Sequence, residues 1–184
     1  MTYRSIYDSP IGKILICATD DALTGLYIEG QKRFGDGFSV TEENPVILQA
    51  KEWLNRYFEG KKPSTDEIKI SADGSAFRTE VRELLRQIPY GETVTYGELA
   101  ECIAKKRGIK AMSAQAVGGA VGSNPISIIV PCHRVMGKGG DLTGYNGGVE
   151  KKIKLLTLEG VDTSGFWLKG KAYNDKKYFN KKNK

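Results

Sequence analysis

A polar segment, Gly60–Gly74, divides the apolar pattern of this chain into two differently organised parts. It contains Pro63 and few apolar anchors, which is typical of a connector, and we expect at most one short strand in it, at Glu67–Ile70. Before it, the apolar runs Lys13–Ala18 and Leu23–Ile28 lie on either side of a polar turn and predict a β-hairpin. The 184 residues therefore predict two small domains with a boundary near residue 74.

One helix is predicted between the hairpin and the connector. Asn44 is suited to the N-cap, Pro45 to the first turn, and Gly60 to the position after the last turn. Apolar side chains recur there with helical spacing, at Val46, Ala50, Trp53, Leu54 and Tyr57. The first domain, residues 1–74, is thus predicted to be a sheet covered by a helix.

Helices dominate the prediction for residues 75–168. One ends before Pro89, and a capping box at Thr95–Glu98 opens another that continues to about Ala104. A basic loop, Lys105–Lys110, and a short helix, Ser113–Gly122, complete the outline of a helix-turn-helix. The stripe of the first helix is Phe77, Val81, Leu84, Leu85 and Ile88. A last helix is predicted from about Gly148 to Glu159, with Gly160 after it.

The short helix of this helix-turn-helix is rich in glycine. Gly118, Gly119 and Gly122 each cost about 1 kcal/mol relative to alanine inside a helix, so their presence requires a compensating reason. A smooth helix face allows close approach of another backbone. The sequence leaves open whether that backbone is DNA or another segment of the protein.

The net charge of +6 resides in the basic tail, residues 169–184, which holds seven lysines and one acid. Because the rest of the chain is neutral, the charge is no independent argument for nucleic-acid binding. A solvated tail and a weak electrostatic contact with phosphates both remain open. A more local basic cluster lies in the predicted loop, at Lys105, Lys106, Arg107 and Lys110.

Three cysteines and one histidine limit the covalent and metal chemistry. An odd cysteine count without paired spacing predicts free thiols, and the absence of any Cys/His cluster predicts no metal site. No apolar run has the length of a signal peptide or of a membrane span. We therefore expect a cytoplasmic location and no contact with a membrane. A monomer is the default expectation, since the sequence does not give the oligomeric state.

A buried strand is predicted at Ser127–Val130, followed by Pro131-Cys132-His133. A thiolate is a strong soft nucleophile, but a free thiol is only slightly ionised at neutral pH. In an extended segment neighbouring side chains point to opposite faces, so Cys132 and His133 would communicate through a water molecule. The alternative is that Cys132 is only a small buried apolar side chain.

Several ordered blocks of the sequence resemble the O6-alkylguanine-DNA alkyltransferases, the methylated-DNA–protein-cysteine methyltransferases. The blocks are Ile88-Pro89-Tyr90-Gly91-Glu92, Val94-Thr95-Tyr96-Gly97, Ala116-Val117-Gly118-Gly119-Ala120, Ser123-Asn124-Pro125, Pro131-Cys132-His133-Arg134-Val135, Thr143-Gly144-Tyr145, Gly147-Gly148 and Leu155-Leu156-Thr157-Leu158-Glu159-Gly160. The resemblance is strong over residues 75–162 and looser over residues 1–74. It implies an α/β (α+β) fold, with a ribonuclease-H-like N-terminal domain and a mainly helical winged-helix or helix-turn-helix C-terminal domain.

The resemblance also implies an activity and a catalytic set. The protein would repair double-stranded DNA containing O6-alkylguanine, by irreversible transfer of the alkyl group to Cys132, once per molecule and without a cofactor. His133 would take the thiol proton through a water, and Glu159 would orient His133. Asn124 would shape the turn around the nucleophile.

The substrate and DNA contacts are implied in the same way. The flipped base would meet the hydroxyl of Tyr96, the carbonyl of Val135, and Tyr145 with Asn146 near its O6 atom. The helix-turn-helix would enter the minor groove. The residues expected at DNA are Ser113, Gln115, Ala116, Gly118, Gly119 and Arg134.

Two features depart from the family pattern. Many members carry an arginine at the position of Gln115, where it fills the gap left by the flipped base, and the uncharged, shorter glutamine predicts weaker extrusion. The loop Ala104–Met112 is longer than in compact members. The alternatives are a damage-binding protein without transfer activity, a cysteine hydrolase, and a transcriptional regulator, whose reading of the major groove the glycine-rich helix does not favour.

Overall fold

The computed structural model describes residues 1–35, 42–169 and 171–172. Its first part is an antiparallel sheet in the order β1-β2-β3, with strands Tyr3–Ser9, Gly12–Ala18 and Leu23–Ile28. The predicted hairpin is β2–β3 and is confirmed. The sequence did not indicate β1, because its one fully buried residue, Ser5, is polar and the strand lacks an apolar alternation.

Helix α1, Pro45–Phe58, covers this sheet as predicted. The side-chain oxygen of Asn44 accepts a hydrogen bond from the backbone N–H of Ile47 at 3.0 Å, which satisfies one of the free donors of the first turn. The rings of Trp53 and Tyr57 stack with their centroids 5.4 Å apart on the buried face. That arrangement leaves the hydroxyl of Tyr57 pointing beyond the sheet, toward the second part of the chain.

The strand predicted at Glu67–Ile70 is wrong. Ser64 and Glu67 instead form a capping box around a single 3-10 turn, Thr65–Glu67. Extended pairing is limited to one parallel bridge between Ile70 and Leu23 of β3. The local side-chain hydrogen bonds thus override the short apolar pattern that predicted the strand.

The second part, over residues 76–158, contains four α-helices and one short parallel strand pair. They are α2 (Ala76–Arg86), α3 (Tyr96–Arg107), α4 (Ala114–Gly122) and α5 (Val149–Leu158), with β4 (Val94–Thr95) paired to β5 (Val135–Met136). The predicted capping box at Thr95 and Glu98 is confirmed. Helix α3 continues three residues beyond the expected end, because Gly108 adopts the left-handed conformation (φ 65°) that terminates it.

The strand predicted at Ser127–Val130 is also wrong. These residues form tight turns in which Ile128 has a positive φ of 70°, an uncommon conformation for a β-branched residue. The apolar run reflects complete burial and not extended structure. Only Ile126 pairs with the sheet, through a parallel bridge to Leu26 of β3.

The two parts share one hydrophobic core and meet beside this turn. The N–H of Leu26 donates to the carbonyl of Pro125 at 2.8 Å, and the N–H of Ser127 donates back to the carbonyl of Leu26 at 2.9 Å. The buried amide of Gln31 adds a hydrogen bond to the Ser127 hydroxyl at 3.0 Å. The edge of the N-terminal sheet therefore holds the turn that precedes Cys132.

The chain beyond α5 forms a small hairpin of β6 (Trp167–Leu168) and β7 (Lys171–Ala172). Most of the predicted basic tail, residue 170 and residues 173–184, lies outside the described residues. No helix within the described ranges is long and apolar enough to cross a membrane.

Candidate active site

The side chain of Asn124 organises the turn around Cys132. Its Nδ2 donates to the carbonyl oxygens of Ile126 and Val130 at 3.1 and 3.0 Å and approaches Cys132 Sγ at 3.2 Å, while its Oδ1 accepts from the N–H of Ile126 at 3.1 Å. One buried amide thus ties together both ends of the turn and the sulfur. The sequence-based expectation that Asn124 shapes this region agrees with these contacts.

Cys132 is buried at the start of a 3-10 turn, Cys132–Arg134. The segment at Cys132 and His133 is therefore a turn and not the extended backbone from which their opposite orientation was argued. Burial raises the pKa of the Cys132 thiol, while the Asn124 amide and the positive charge of Lys152 oppose that rise. The resting state is a thiol that requires a base to become a nucleophile.

His133 lies fully inside the protein and its two ring nitrogens differ in environment. Nε2 is 2.7 Å from Glu159 Oε1, whereas Nδ1 has no hydrogen-bond partner among the described residues. Burial lowers the pKa of His133, although the Glu159 carboxylate acts in the opposite direction. A neutral imidazole with one nitrogen held by a carboxylate leaves the other nitrogen available as a base.

Glu159, at the C-terminal end of α5, is the most heavily bonded carboxylate of the site. Its two oxygens contact Tyr57 Oη (2.6 Å), His133 Nε2 (2.7 Å), Arg134 Nε and Nη2 (2.8 and 3.0 Å) and the N–H of Gly91 (3.1 Å). Burial would raise the pKa of this carboxyl, but the hydrogen bonds and charges of His133 and Arg134 hold it far below its usual range. Glu159 is therefore ionised at neutral pH.

Arg134 was expected at the DNA, and that expectation is wrong for its side chain. The guanidinium is buried, donates two hydrogen bonds to Glu159 and donates a third to the carbonyl of Ile88 at 2.6 Å. A guanidinium that is buried and bonded to an internal carboxylate and carbonyl is not presented at the surface that DNA would contact. Its contacts make it a positioning residue for Glu159.

Three residues of one sequence block, Ile88-Pro89-Tyr90-Gly91, contact Glu159 or its partner Arg134. Gly91 has a φ of +81°, and a Cβ atom there would lie 2.8 Å from the carbonyl oxygen of Glu159. Only glycine brings its N–H this close to the Glu159 side chain. The Tyr90 ring covers the Arg134 guanidinium at 5.7 Å.

Tyr57 is a site residue that the sequence-based prediction assigned only to the apolar face of α1. Its hydroxyl donates to Glu159 and lies 3.5 Å from His133 Nε2, across 102 and 76 residues of chain. The helical spacing of apolar residues predicted that the Tyr57 ring is buried, but it gave no information about the partner of the hydroxyl. The N-terminal domain therefore contributes directly to the site.

We expect Tyr57→Phe to lower the free energy of unfolding by about 1.5–3 kcal/mol, because the ionised Glu159 loses a buried hydrogen bond. The rate at which a small electrophile alkylates the Cys132 thiol should fall by no more than about tenfold, since His133 and Arg134 still hold the carboxylate. Urea unfolding and the rate of thiol alkylation measure the two effects. Tyr7→Phe is the matched control, because Tyr7 donates to the neutral Asn55 at the surface; an equal loss of stability in both variants would contradict the role of Tyr57.

A small pocket opens above Cys132. Tyr96, Tyr145 and Asn146, which the resemblance implied as contacts of the flipped base, line it together with Gln31, Val121, Gly122, Asn124 and Gly144. The Tyr145 hydroxyl is buried without a hydrogen-bond partner among the described residues, so it is available to a ligand. The carbonyl of Val135 is engaged by a buried lysine, Lys152, at 2.5 Å.

Helix α4 presents the surface that was predicted to contact DNA. Ser113 caps it by accepting from the N–H of Ala116 at 3.2 Å, and Gln115, Ala116 and Gly119 are exposed. A Cβ atom at Gly118 would touch the Tyr96 ring at 3.8 Å, whereas one at Gly119 would meet open space. Packing against Tyr96 thus accounts for Gly118, whereas Gly119 lies on the exposed face, where another molecule could approach closely.

Only part of the basic cluster beside α4 is free of ion pairs within the described residues and exposed to an approaching anion. Arg107 forms an ion pair with Glu80 on α2, while Lys105 and Lys110 are exposed. In the described part of the chain, no group of three or more His, Cys, Asp and Glu side chains is arranged to hold a metal ion.

The chain matches two family descriptions along its length. Residues 2–72 match the 6-O-methylguanine DNA methyltransferase ribonuclease-like domain, and residues 76–161 match the DNA binding domain of the same family. A methylated-DNA–protein-cysteine methyltransferase from Haemophilus influenzae is 40% identical over 160 residues, covering 86% of this chain and 87% of the relative. The Methanosarcina acetivorans protein of that name is 41% identical, covering 86% and 98%.

Solved structures agree with this relationship. Mycobacterium tuberculosis OGT in complex with DNA superposes with a TM-score of 0.74 at 39% identity, covering 86% of this chain and 93% of that chain. The O6-methylguanine-DNA methyltransferase of Pyrococcus kodakaraensis gives a TM-score of 0.57 at 26% identity, covering 88% and 100%. With matches across both domains and more than two thirds of its relatives' length, the chain belongs to the 6-O-methylguanine DNA methyltransferase family.

Proposed function

We propose that this protein repairs double-stranded DNA by moving the O6-alkyl group of guanine, a methyl group in the simplest case, to Cys132. The arrangement that supports this most directly is the buried Cys132 thiol at the base of a pocket, next to the Glu159–His133 pair. Both family matches and the DNA-bound relative agree with it. We further propose that it acts as a cytoplasmic monomer, with a domain boundary near residue 74.

The reaction begins with a proton transfer. His133 Nδ1, the nitrogen that Glu159 does not hold, takes the Cys132 proton through a bridging water. The Glu159 carboxylate stabilises the resulting imidazolium, since it is ionised and bonded to Nε2. The thiolate is then the nucleophile.

The alkyl carbon moves in one displacement. The Cys132 sulfur forms an S–C bond as the C–O6 bond of the base breaks, and the electron pair of that bond remains with the guanine. Tyr96 donates a hydrogen bond to the purine N3 atom, and the proton held by His133 finally neutralises the base. Tyr145 and Asn146 contact the base near O6, and the second lone pair of the Val135 carbonyl accepts from the exocyclic amine.

Access to the buried sulfur requires the nucleotide to leave the duplex. A damaged, poorly paired guanine is cheaper to extrude than a normal one, which contributes to selectivity. Helix α4 fits the minor groove with its small exposed residues, at Ala116 and Gly119, while Ser113 and Gly118 support the helix from its cap and its inner face. The product is a stable thioether, so each molecule reacts once.

The proposal is tested with a duplex that carries one radiolabelled O6-methylguanine. Label should move to the protein up to one equivalent, map to the peptide that contains Cys132, and then stop. Tight binding of the damaged duplex without transfer of label would instead identify a damage-binding protein and contradict the proposal.

Gln115→Arg should strengthen binding to the damaged duplex by about 3- to 30-fold. Gln115 is exposed near the start of α4, and a longer cationic side chain fills the vacated stack more fully and adds attraction to phosphates. Stopped-flow fluorescence of a base analogue next to the lesion measures extrusion, and filter binding measures affinity. Gln87→Arg adds the same charge beyond α2 as a control; equal gains for both variants would attribute the effect to charge alone.

A further inference from the structure

Lys152 is a fully buried lysine on α5 that the reaction described above does not use. Its Nζ donates a hydrogen bond to the carbonyl of Val135, three residues after the nucleophile. In the part of the chain that the structure describes, no carboxylate forms an ion pair with this ammonium. A buried cation without a carboxylate partner is costly, so its position requires a compensating gain.

The groups around Lys152 belong to the active site. The ring of Tyr145, a wall of the base pocket, has its centroid 6.0 Å from Nζ. Cys132 and His133 interact with the ammonium electrostatically from the 3-10 turn, and Asp141 does so from the loop after β5. The Asp141 carboxylate itself accepts from the N–H and hydroxyl of Thr143, at 3.0 and 2.6 Å.

We propose that Lys152 is a positioning residue whose ammonium stabilises the Cys132 thiolate and holds the Val135 carbonyl and Tyr145 ring in place as walls of the base pocket. This inference rests on the proposed alkyl transfer to Cys132. When the thiol loses its proton to His133, the negative charge forms in a buried region shielded from bulk solvent, where a nearby cation has a larger effect than at the surface. The ammonium keeps its own proton throughout.

The stabilisation of the thiolate by Lys152 is limited to the pH range in which the lysine is protonated. Burial lowers the pKa of Lys152 to about 8, while the charges of Cys132 and Asp141 act to raise it. The ammonium is therefore present at neutral pH and is lost as the pH rises through that value. Its help to the thiolate is largest on the acid side of the Lys152 pKa and fades above it.

The first test uses no DNA. The rate of Cys132 alkylation by iodoacetamide, followed on the Cys132 peptide by mass spectrometry, is measured against pH in the wild type and in Lys152→Met, Lys152→Gln and Lys152→Arg. The glutamine keeps a donor for Val135 without charge, and the arginine keeps the charge. Lys154→Met, on the same helix and half-buried, is the matched control.

Loss of the charge should displace the pH profile upward by about one to two units, which lowers the rate near neutral pH roughly tenfold or more in both the Met and Gln variants. The arginine variant should restore most of the wild-type profile, and Lys154→Met should not change it. A folded Met or Gln variant with the wild-type profile would overturn the proposal.

A reciprocal measurement covers the case in which the Met and Gln variants do not fold. The Nζ signal of Lys152 is titrated by NMR in the wild type and in Cys132→Ser, and linkage requires the Lys152 pKa to fall in the variant. An unchanged Lys152 titration would overturn the proposal. Shifted profiles in a protein that takes no methyl group from DNA would support this role of Lys152 and contradict the alkyl transfer itself, so the two failures are distinguishable.

Discussion

A Cys132→Ala protein is expected to accept no label from O6-methylguanine DNA, while it still binds the damaged duplex. The loss is complete because the sulfur is the atom that forms the new bond, and no other thiol of the chain shares its pocket. Binding should stay within about threefold of the wild type, since the pocket walls and helix α4 are untouched. Label transfer and filter binding on the same preparation measure the two quantities.

Cys102→Ala is the matched control for this variant. Cys102 is an exposed free thiol on α3, so the substitution removes a cysteine on the helix next to α4 without touching the pocket. The Cys102→Ala protein should accept one equivalent of label from the DNA at the wild-type rate. Residual transfer in Cys132→Ala that disappears only when Cys102 is also replaced would show that the acceptor has been wrongly assigned.

Glu159→Gln is expected to slow alkyl transfer by about 100-fold or more and to destabilise the protein by about 3–5 kcal/mol. The rate falls because an amide neither orients His133 as the carboxylate does nor stabilises its protonated form. The stability falls because the buried Arg134 guanidinium keeps its position but loses its countercharge. Single-turnover kinetics and urea unfolding at neutral pH measure both.

This variant also has a signature in the pH dependence of stability. The folded-state pKa of Glu159 lies far below its unfolded value of about 4.3, so the unfolded state binds the proton first as the pH falls. The stabilisation is therefore fully present above about pH 5 and is lost progressively below it. The wild-type free energy of unfolding should decline through that range, and the Glu159→Gln protein should decline less steeply.

Glu80→Gln supplies the comparison for Glu159. Glu80 is an ion-paired, half-buried glutamate that binds Arg107 between α2 and α3, away from Cys132. Its replacement should cost no more than about 1 kcal/mol and leave the transfer rate unchanged. If Glu159→Gln resembles this variant in both rate and stability, the carboxylate has no special part in the site.

Local signals predicted most of the helices correctly because their causes are short-range. The Asn44 cap, the Thr95–Glu98 capping box and Gly160 after α5 each act through residues three or four positions away. The resemblance of several ordered blocks identified the family, and it also placed Cys132 and His133 among the candidate catalytic residues. None of these required knowledge of distant contacts.

The errors have a common physical origin in long-range or unusual geometry. A fully apolar run such as Ser127–Val130 signals burial, and burial alone does not distinguish a strand from turns held by a side chain. Asn124 holds those turns with hydrogen bonds to Val130, six residues away, and to the sulfur. The positive φ of Ile128 could not be predicted from the residue type, because isoleucine rarely adopts that conformation.

The sequence by itself determined the chemistry that is available: a thiol beside one histidine, a glutamate at the end of a helix, and a short glycine-rich helix for a partner. Only the tertiary structure decided how these groups act together. Tyr57 reaches Glu159 across 102 residues, Arg134 turns inward to the same carboxylate, and the buried Lys152 donates to the carbonyl of Val135. Such partners are selected by burial, because a buried charge or donor must find a complement wherever the packed chain provides one.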